Sequence, residues 1–353
     1  MKLVGIGDLF IPHRHVAAGF APLAARGVEI RTFDWQLSGF QELQEINLAV
    51  EKGGAGAYTP PPAIFDAVAR ADVLVVQFCP VPAALLEAAP RLKILGVLRA
   101  GVENVDVAAA TARGVLVLNT PGRNADAVAD FTVGLIICEA RNIARGHHAL
   151  KEGRWLREYP NSGHIPDLPG KTVGIVGMGD IGRRVARRLA GFDVRLLAHD
   201  PFVKEAPAGI TLVDLPTLAA ESDFVTVHAR LTKETEGLIG PEIIARMKPT
   251  AYLVNTSRSG LVDERALHDA LAGGRLAGAA LDVFGREPPG KDHPLVALPN
   301  VTVTPHMAGG SNDAFFNCPK LLAADLARLL DGGEPRAVVN REVLATARAR
   351  LGE

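Results

Sequence analysis

Short apolar runs alternate with helical repeats along the first third of the chain. Leu3–Ile6, Val73–Val76, Ile94–Leu98 and Val115–Leu118 are brief, nearly uninterrupted apolar stretches. Such runs predict strands buried on both faces. Between them, Val16–Ala25, Ala63–Arg70, Ala83–Ala89 and Val107–Arg113 carry the spacing of helices. Strand and helix in alternation imply a parallel sheet covered on both sides. The stretch 53–62 (GGAGAYTPPP) predicts a loop, since its glycines and prolines suit no regular element.

The break at 119–122 (NTPG) reads either as a hinge between domains or as a plain turn, and Asn124 then opens a long helical stretch to about Lys151. Further strands are expected at Phe224–His228, Tyr252–Asn255, Gly278–Val283 and Val301–Thr304, with Asp263 as a helix N-cap. A last helix, from about Asp313 to Leu330, should end at Gly332 and Gly333. The expected fold class is α/β with two domains. Residues 121–306 are expected to form one domain, and residues 1–120 with 307–353 a second built from both ends of the chain.

One segment within this pattern carries a specific chemistry. Residues 171–189 (KTVGIVGMGDIGRRVARRL) read as strand, glycine turn and helix, and 194–200 (VRLLAHD) as a second strand ending in a carboxylate. Gly177 makes the tight turn, Gly179 lets a pyrophosphate approach the backbone, and Gly182 allows close helix–strand packing. Free N–H groups opening the helix, at Asp180 and Ile181, suit the phosphates. Asp200 lies 18 residues past Gly182, near the spacing of a ribose-binding acid, which selects NAD over NADP. Its alternative role is to cap the turn into Pro201.

Composition narrows the surroundings. Thirty-eight basic against 39 acidic residues leave a net charge of −1, which gives no reason to expect a nucleic-acid partner. Cys79, Cys138 and Cys318 are far apart, so they form no metal cluster and suit a reducing, cytoplasmic compartment. No signal peptide or membrane-length apolar run is evident. No metal site and no membrane partner are expected.

Ligands of open parallel sheets bind beyond the carboxyl ends of the strands, and that rule selects Arg258, Asp282, Glu287 and His306, each just after an expected strand. Reduction of a 2-keto acid needs such a set. An imidazolium protonates the carbonyl oxygen, a carboxylate orients the imidazole, and a guanidinium forks onto the substrate carboxylate. Each residue also has a plainer role open to it: His306 in a turn, Glu287 as a solvated acid, Arg258 at the surface, Asp282 as a buried acid satisfied by backbone N–H groups.

The segments 255–263 (NTSRSGLVD), 280–288 (ALDVFGREP) and 304–309 (TPHMAG) resemble the three signature segments of the D-isomer-specific 2-hydroxyacid dehydrogenases, as do the glycine fingerprint and 228–239 (HARLTKETEGLI). The likeness runs from about Lys93 to Asn340. It implies Arg258 binding the substrate, His306 as acid/base with Glu287 as its partner, and Asp282 holding the nicotinamide carboxamide. His228 and Thr256 join Gly177, Gly179, Asp180, Ile181, Gly182, Asp200 and Asp282 in the implied NAD-binding set. The family also implies a Rossmann NAD-binding domain at 121–306, a flavodoxin-like substrate domain at 1–120 with 307–353, homodimers paired around the long helix, and a small-molecule 2-hydroxy or 2-keto acid as substrate. The chain's end near Glu353 is expected to leave no room for a regulatory domain like those on many phosphoglycerate dehydrogenases, which disfavours a feedback-controlled form. Glyoxylate/hydroxypyruvate reductase and phosphoglycerate dehydrogenase both fit. A corepressor-like NAD(H) sensor with little turnover is the alternative from another class.

Two departures stand out. The family's substrate-carboxylate loop appears here as 99–106 (RAGVENVD), two residues shorter, with the Gly101 and Val102 N–H groups as candidates for the carboxylate. Arg230 stands where the family often has Pro. Arg123 in the hinge, or the loop His13–His15, is expected to help bind a larger, hydroxylated or phosphorylated acid, against the plainer reading of solvated surface charge.

Overall fold

The computed structural model describes residues 1–351. They form two compact units, one of Met1–Arg123 with the chain from Asn312 onward, the other of Asn124–Ser311.

The first unit holds five parallel strands: β1 (Lys2–Gly7), β2 (Glu29–Asp34), β3 (Val73–Val76), β4 (Ile94–Val97) and β5 (Leu116–Leu118). Their order is β2-β1-β3-β4-β5. β3, β4 and β5 are buried at every position, which is why they read as apolar runs. β2 is an edge strand, with Glu29 and Arg31 exposed and ion-paired at 2.7 Å, so the apolar-run signal misses it. The helix Phe40–Gly53, also not predicted, buries Leu43, Ile46 and Val50 on one face.

The chain's end packs on this unit. The helix Cys318–Leu330 lies so close to the helix His13–Phe20 that a Cβ at Gly19 would meet the Pro319 Cβ at 2.4 Å. Asn340 satisfies the outer edge of β5, accepting from Val117 N at 2.8 Å and donating to Val115 O at 2.9 Å. The predicted single helix over 313–330 is two, Asn312–Phe316 and Cys318–Leu330, because Pro319 cannot donate to the preceding turn.

The second unit holds seven parallel strands: β6 (Thr172–Val176), β7 (Arg195–His199), β8 (Ile210–Leu212), β9 (Phe224–Val227), β10 (Tyr252–Asn255), β11 (Gly278–Leu281) and β12 (Val301–Val303). Their order is β12-β11-β10-β9-β6-β7-β8, so direction reverses between β6 and β9. That reversal is the crevice where dinucleotides bind in such sheets. The long helix expected over 124–151 breaks into Ala125–Ala140 and Ile143–Lys151. Asn142 there adopts a left-handed φ of 55° and its amide donates to Asn161 Oδ1 at 2.7 Å, so local side-chain bonding replaces the helix. Among the described residues no helix is long and apolar enough to cross a membrane.

Candidate active site

The glycine turn follows β6 and is shaped by close packing. Gly177 has φ 97°, and a Cβ on it would lie 2.7 Å from Ala229 N. A Cβ on Gly182 would lie 2.0 Å from Gly177 O, so only glycine lets the helix Asp180–Leu189 seat against the turn. Gly179 differs: a Cβ there meets nothing within 4 Å. The helix begins beside it with no side-chain cap on its first N–H groups. Open space above uncapped donors fits the pyrophosphate of a dinucleotide.

Asp200 follows β7. Its Oδ2 accepts from Met178 N at 2.8 Å and its Oδ1 from Phe202 N at 2.9 Å. The carboxylate therefore ties the glycine turn to the strand end and caps the next turn, and each oxygen keeps a lone pair for a ribose hydroxyl. His228 follows β9 and is buried beneath the turn, with Nε2 2.9 Å from Thr226 Oγ1 and Nδ1 without a partner. Burial pushes its pKa down to about 3, so the ring is neutral at ordinary pH.

Arg258 extends into solvent beyond β10, its Nη1 donating to Ser257 O at 2.7 Å and its own carbonyl held by Asn255 Nδ2 at 2.9 Å. His306 lies beyond β12 with φ 49°, a left-handed conformation that a non-glycine residue seldom takes. Its Nδ1 is 2.7 Å from Glu287 Oε2, and Glu287 Oε1 accepts from Phe284 N at 3.0 Å. Partial burial works against ionising Glu287. The His306 hydrogen bond, the Phe284 N–H and the charges of His306 and Arg258 outweigh it and hold the carboxyl below its ordinary range. The second unit thus gathers a guanidinium, a carboxylate and an imidazole at the carboxyl ends of β10, β11 and β12.

Two expected cofactor residues are buried and hydrogen-bonded within the protein. Asp282 is 0% exposed, and its carboxylate accepts from Thr304 Oγ1 at 2.5 Å, Met307 N at 3.0 Å and Ala308 N at 2.9 Å. It positions the loop that carries His306. Thr256 is buried with its hydroxyl 2.8 Å from Thr132 Oγ1, joining β10 to the helix Ala125–Ala140. In both cases a buried polar group found protein partners, which the chain order does not reveal.

In the first unit, the loops after β4 and β5 are bonded together: Asn119 Nδ2 donates to Ala100 O at 2.6 Å and Thr120 N to Arg99 O at 3.1 Å. Gly101 N and Val102 N have no hydrogen-bond partner among the described residues, and the Glu103 carboxylate lies against Gly101, 2.3 Å from where a Cβ would stand. Arg123 follows β5 and lies over the Phe315 ring, 4.7 Å from its centroid. His13 and His15 are taken up locally, His13 at 3.3 Å from Thr32 Oγ1 and His15 stacked on Phe316 at 3.7 Å. Arg230 is exposed after β9 and supplies its carbonyl to Thr235 Oγ1 at 2.6 Å. Sequence reasoning passed over Asp8 and Gln77, which are buried directly after β1 and β3. The strand-end rule, applied to the first sheet as well as the second, would have found both. Among the described residues no His, Cys, Asp and Glu cluster could hold a metal.

A family model described as "D-isomer specific 2-hydroxyacid dehydrogenase, NAD binding domain" matches residues 133–308. The chain is 42% identical over 263 residues to a D-3-phosphoglycerate dehydrogenase of Archaeoglobus fulgidus, covering 74% of this chain and 49% of that protein. It is 42% identical over 286 residues to a glyoxylate reductase of Korarchaeum cryptofilum, covering 80% and 86%. The chain thus spans about half the length of the first relative and most of the second. The NAD-complexed form of a D-isomer specific 2-hydroxyacid dehydrogenase from Lactobacillus delbrueckii ssp. bulgaricus is similar in structure, with TM-score 0.74 and 24% identity over 96% of this chain and 100% of that one. At that identity the likeness speaks for the fold.

Proposed function

From the premise that the chain belongs to the D-isomer specific 2-hydroxyacid dehydrogenase family, we propose that it is an NAD-dependent oxidoreductase interconverting a D-2-hydroxy acid and its 2-keto acid. The observation that carries the reading is the 2.7 Å His306–Glu287 pair beside Arg258. The cofactor is NAD; when bound as NADH it supplies the hydride to the carbonyl carbon. The uncapped helix at Asp180 and Ile181 takes the pyrophosphate across Gly179, and Asp200 takes the ribose hydroxyls.

In the direction of reduction, His306 delivers its Nε2 proton to the carbonyl oxygen as that oxygen gains charge. Glu287 fixes the ring through Nδ1 and stabilises the imidazolium. Arg258 polarises the carbonyl and pairs with the C1 carboxylate. Asp282 holds the loop on which His306 rides.

The second unit exposes Ile143 (53%), Leu150 (59%), Trp155 (81%) and Leu156 (43%) in one continuous segment. We infer that a second copy of the chain covers these side chains, giving a homodimer. The buried free thiols of Cys79 and Cys318 support a cytoplasmic site of action. NADH oxidation measured with glyoxylate, hydroxypyruvate, phosphohydroxypyruvate and sugar-derived 2-keto acids tests the activity. Turnover of at least one is expected; measurable NADH binding without turnover across the panel would rule the reading out.

A further inference from the structure

Resting on the reading of the chain as a 2-keto acid reductase, we propose that Arg123 binds a second negatively charged group on the substrate, a carboxylate or phosphate besides the one at C1. The guanidinium is the unusual cation of the first unit. Its Nη1 is buried without a hydrogen-bond partner, and no carboxylate among the described residues comes within ion-pair distance. Arg99 and Arg145, each 14% exposed, are both paired, with Glu103 at 3.1 Å and Glu139 at 2.8 Å. A guanidinium nitrogen held away from water without a partner is unfavourable, and a ligand anion removes the penalty.

None of the neighbouring groups forms an ion pair or hydrogen bond with it. Asp8 lies in its field, but the Asp8 carboxylate is occupied by the N–H groups of Phe10, Ile11 and Phe78 at 2.9, 3.0 and 3.3 Å. Burial pushes the Cys318 thiol up to about 11, so it is uncharged at neutral pH, and Arg99 adds a like charge. The guanidinium is also held in place. It stacks on Phe315, which stacks on Phe10 at 5.0 Å, and Phe10 packs on Phe78 at 5.6 Å. A pre-oriented guanidinium forks onto a planar anion with little ordering left to do.

A second observation points to the same place. The sheet order reverses between β1 and β3, which makes the carboxyl ends of these strands the ligand crevice of this unit. Gln77 after β3 has both amide atoms buried and unpartnered, and Asn104 Oδ1 after β4 is likewise unpartnered. With Arg123 after β5, three successive strand ends hold unmet hydrogen-bonding capacity.

The test compares NADH-dependent kcat/KM for oxaloacetate and 2-oxoglutarate, for phosphohydroxypyruvate, and for the singly charged glyoxylate, pyruvate and hydroxypyruvate. A doubly charged acid should be preferred by about tenfold or more, and whether the dicarboxylates or the phosphate ester lead identifies the anion. Arg123→Met should lower kcat/KM on the preferred acid by about a hundredfold, mainly through KM, with glyoxylate changed less than about threefold. Arg123→Lys should recover part of the loss. An equal loss on glyoxylate, or no loss on any acid, would overturn the proposal. A separate readout needs no turnover: malonate or inorganic phosphate should raise the melting temperature of the wild type and not of Arg123→Met. If that protection is seen while no 2-keto acid is reduced, the dehydrogenase reading fails and the anion site stands. Equal protection of both proteins overturns the site.

Discussion

Glu287 Oε2 and His306 Nδ1 meet at 2.7 Å across 19 residues of chain, and each is fixed from behind. Phe284 N holds the other oxygen of Glu287, while Asp282 accepts the N–H groups of Met307 and Ala308, the two residues after His306. The imidazole is therefore placed by a buried acid that it does not itself touch. Replacing His306 with Asn should lower kcat by about 10²–10⁴-fold, the usual contribution of a positioned acid. The NADH dissociation constant, read by fluorescence titration, should stay near the wild-type value. Near-normal turnover would remove His306 from the mechanism.

The ionised state of Glu287 sets a pH dependence. Its carboxyl is held below the ordinary value of 4.5, because its bonds to His306 and Phe284 and the nearby positive charges outweigh partial burial. A carboxyl with a depressed folded pKa adds stability that is complete above the unfolded value and disappears as pH falls through the folded one. The melting-temperature gap between wild type and Glu287→Gln should hold constant above about pH 5 and close below it. A gap that widens on acidification would contradict the assignment.

Asp282→Ala should damage stability and catalysis together. It strips the acceptor from two backbone N–H groups and the Thr304 hydroxyl, and unsatisfied buried donors cost about 1–3 kcal/mol each. Urea unfolding should show a loss of about 3 kcal/mol or more, and kcat should fall with the displaced His306. A variant as stable as wild type would show that the carboxylate does not hold the loop.

Two glycines separate folding from cofactor binding. Gly182→Ala places a Cβ 2.0 Å from Gly177 O and should destabilise the second unit. Gly179→Ala meets no protein atom within 4 Å, so the fold should tolerate it, while NADH affinity should drop by about tenfold or more as the methyl occupies the pyrophosphate's approach. Paired thermal melts and NADH titrations decide it; intact NADH binding in Gly179→Ala would move the phosphate site elsewhere.

Much of the architecture is legible in the order of residues alone. The strands β3, β4, β5, β9 and β10 announce themselves because burial on both faces demands continuous apolar runs, and the glycine fingerprint is local by nature. The strand-end rule picks out Arg258, Glu287 and His306 without knowledge of their contacts. β2 and β8 escape because an edge strand can leave alternate residues in water. The break at Asn142 escapes because it depends on a bond to Asn161 that only folding creates.

By itself, then, the sequence determined the strand–helix alternation, the dinucleotide turn and the residue types at the strand ends, since each depends on neighbours close in the chain. The tertiary structure decided which polar groups are satisfied. It buried Asp282 beneath the His306 loop, joined Thr256 to Thr132, and left Arg123 over Phe315 with its Nη1 unpartnered. Those outcomes rest on pairings between distant segments, where the cost of an unmet hydrogen bond or charge is fixed by burial, and burial exists only once the chain has folded.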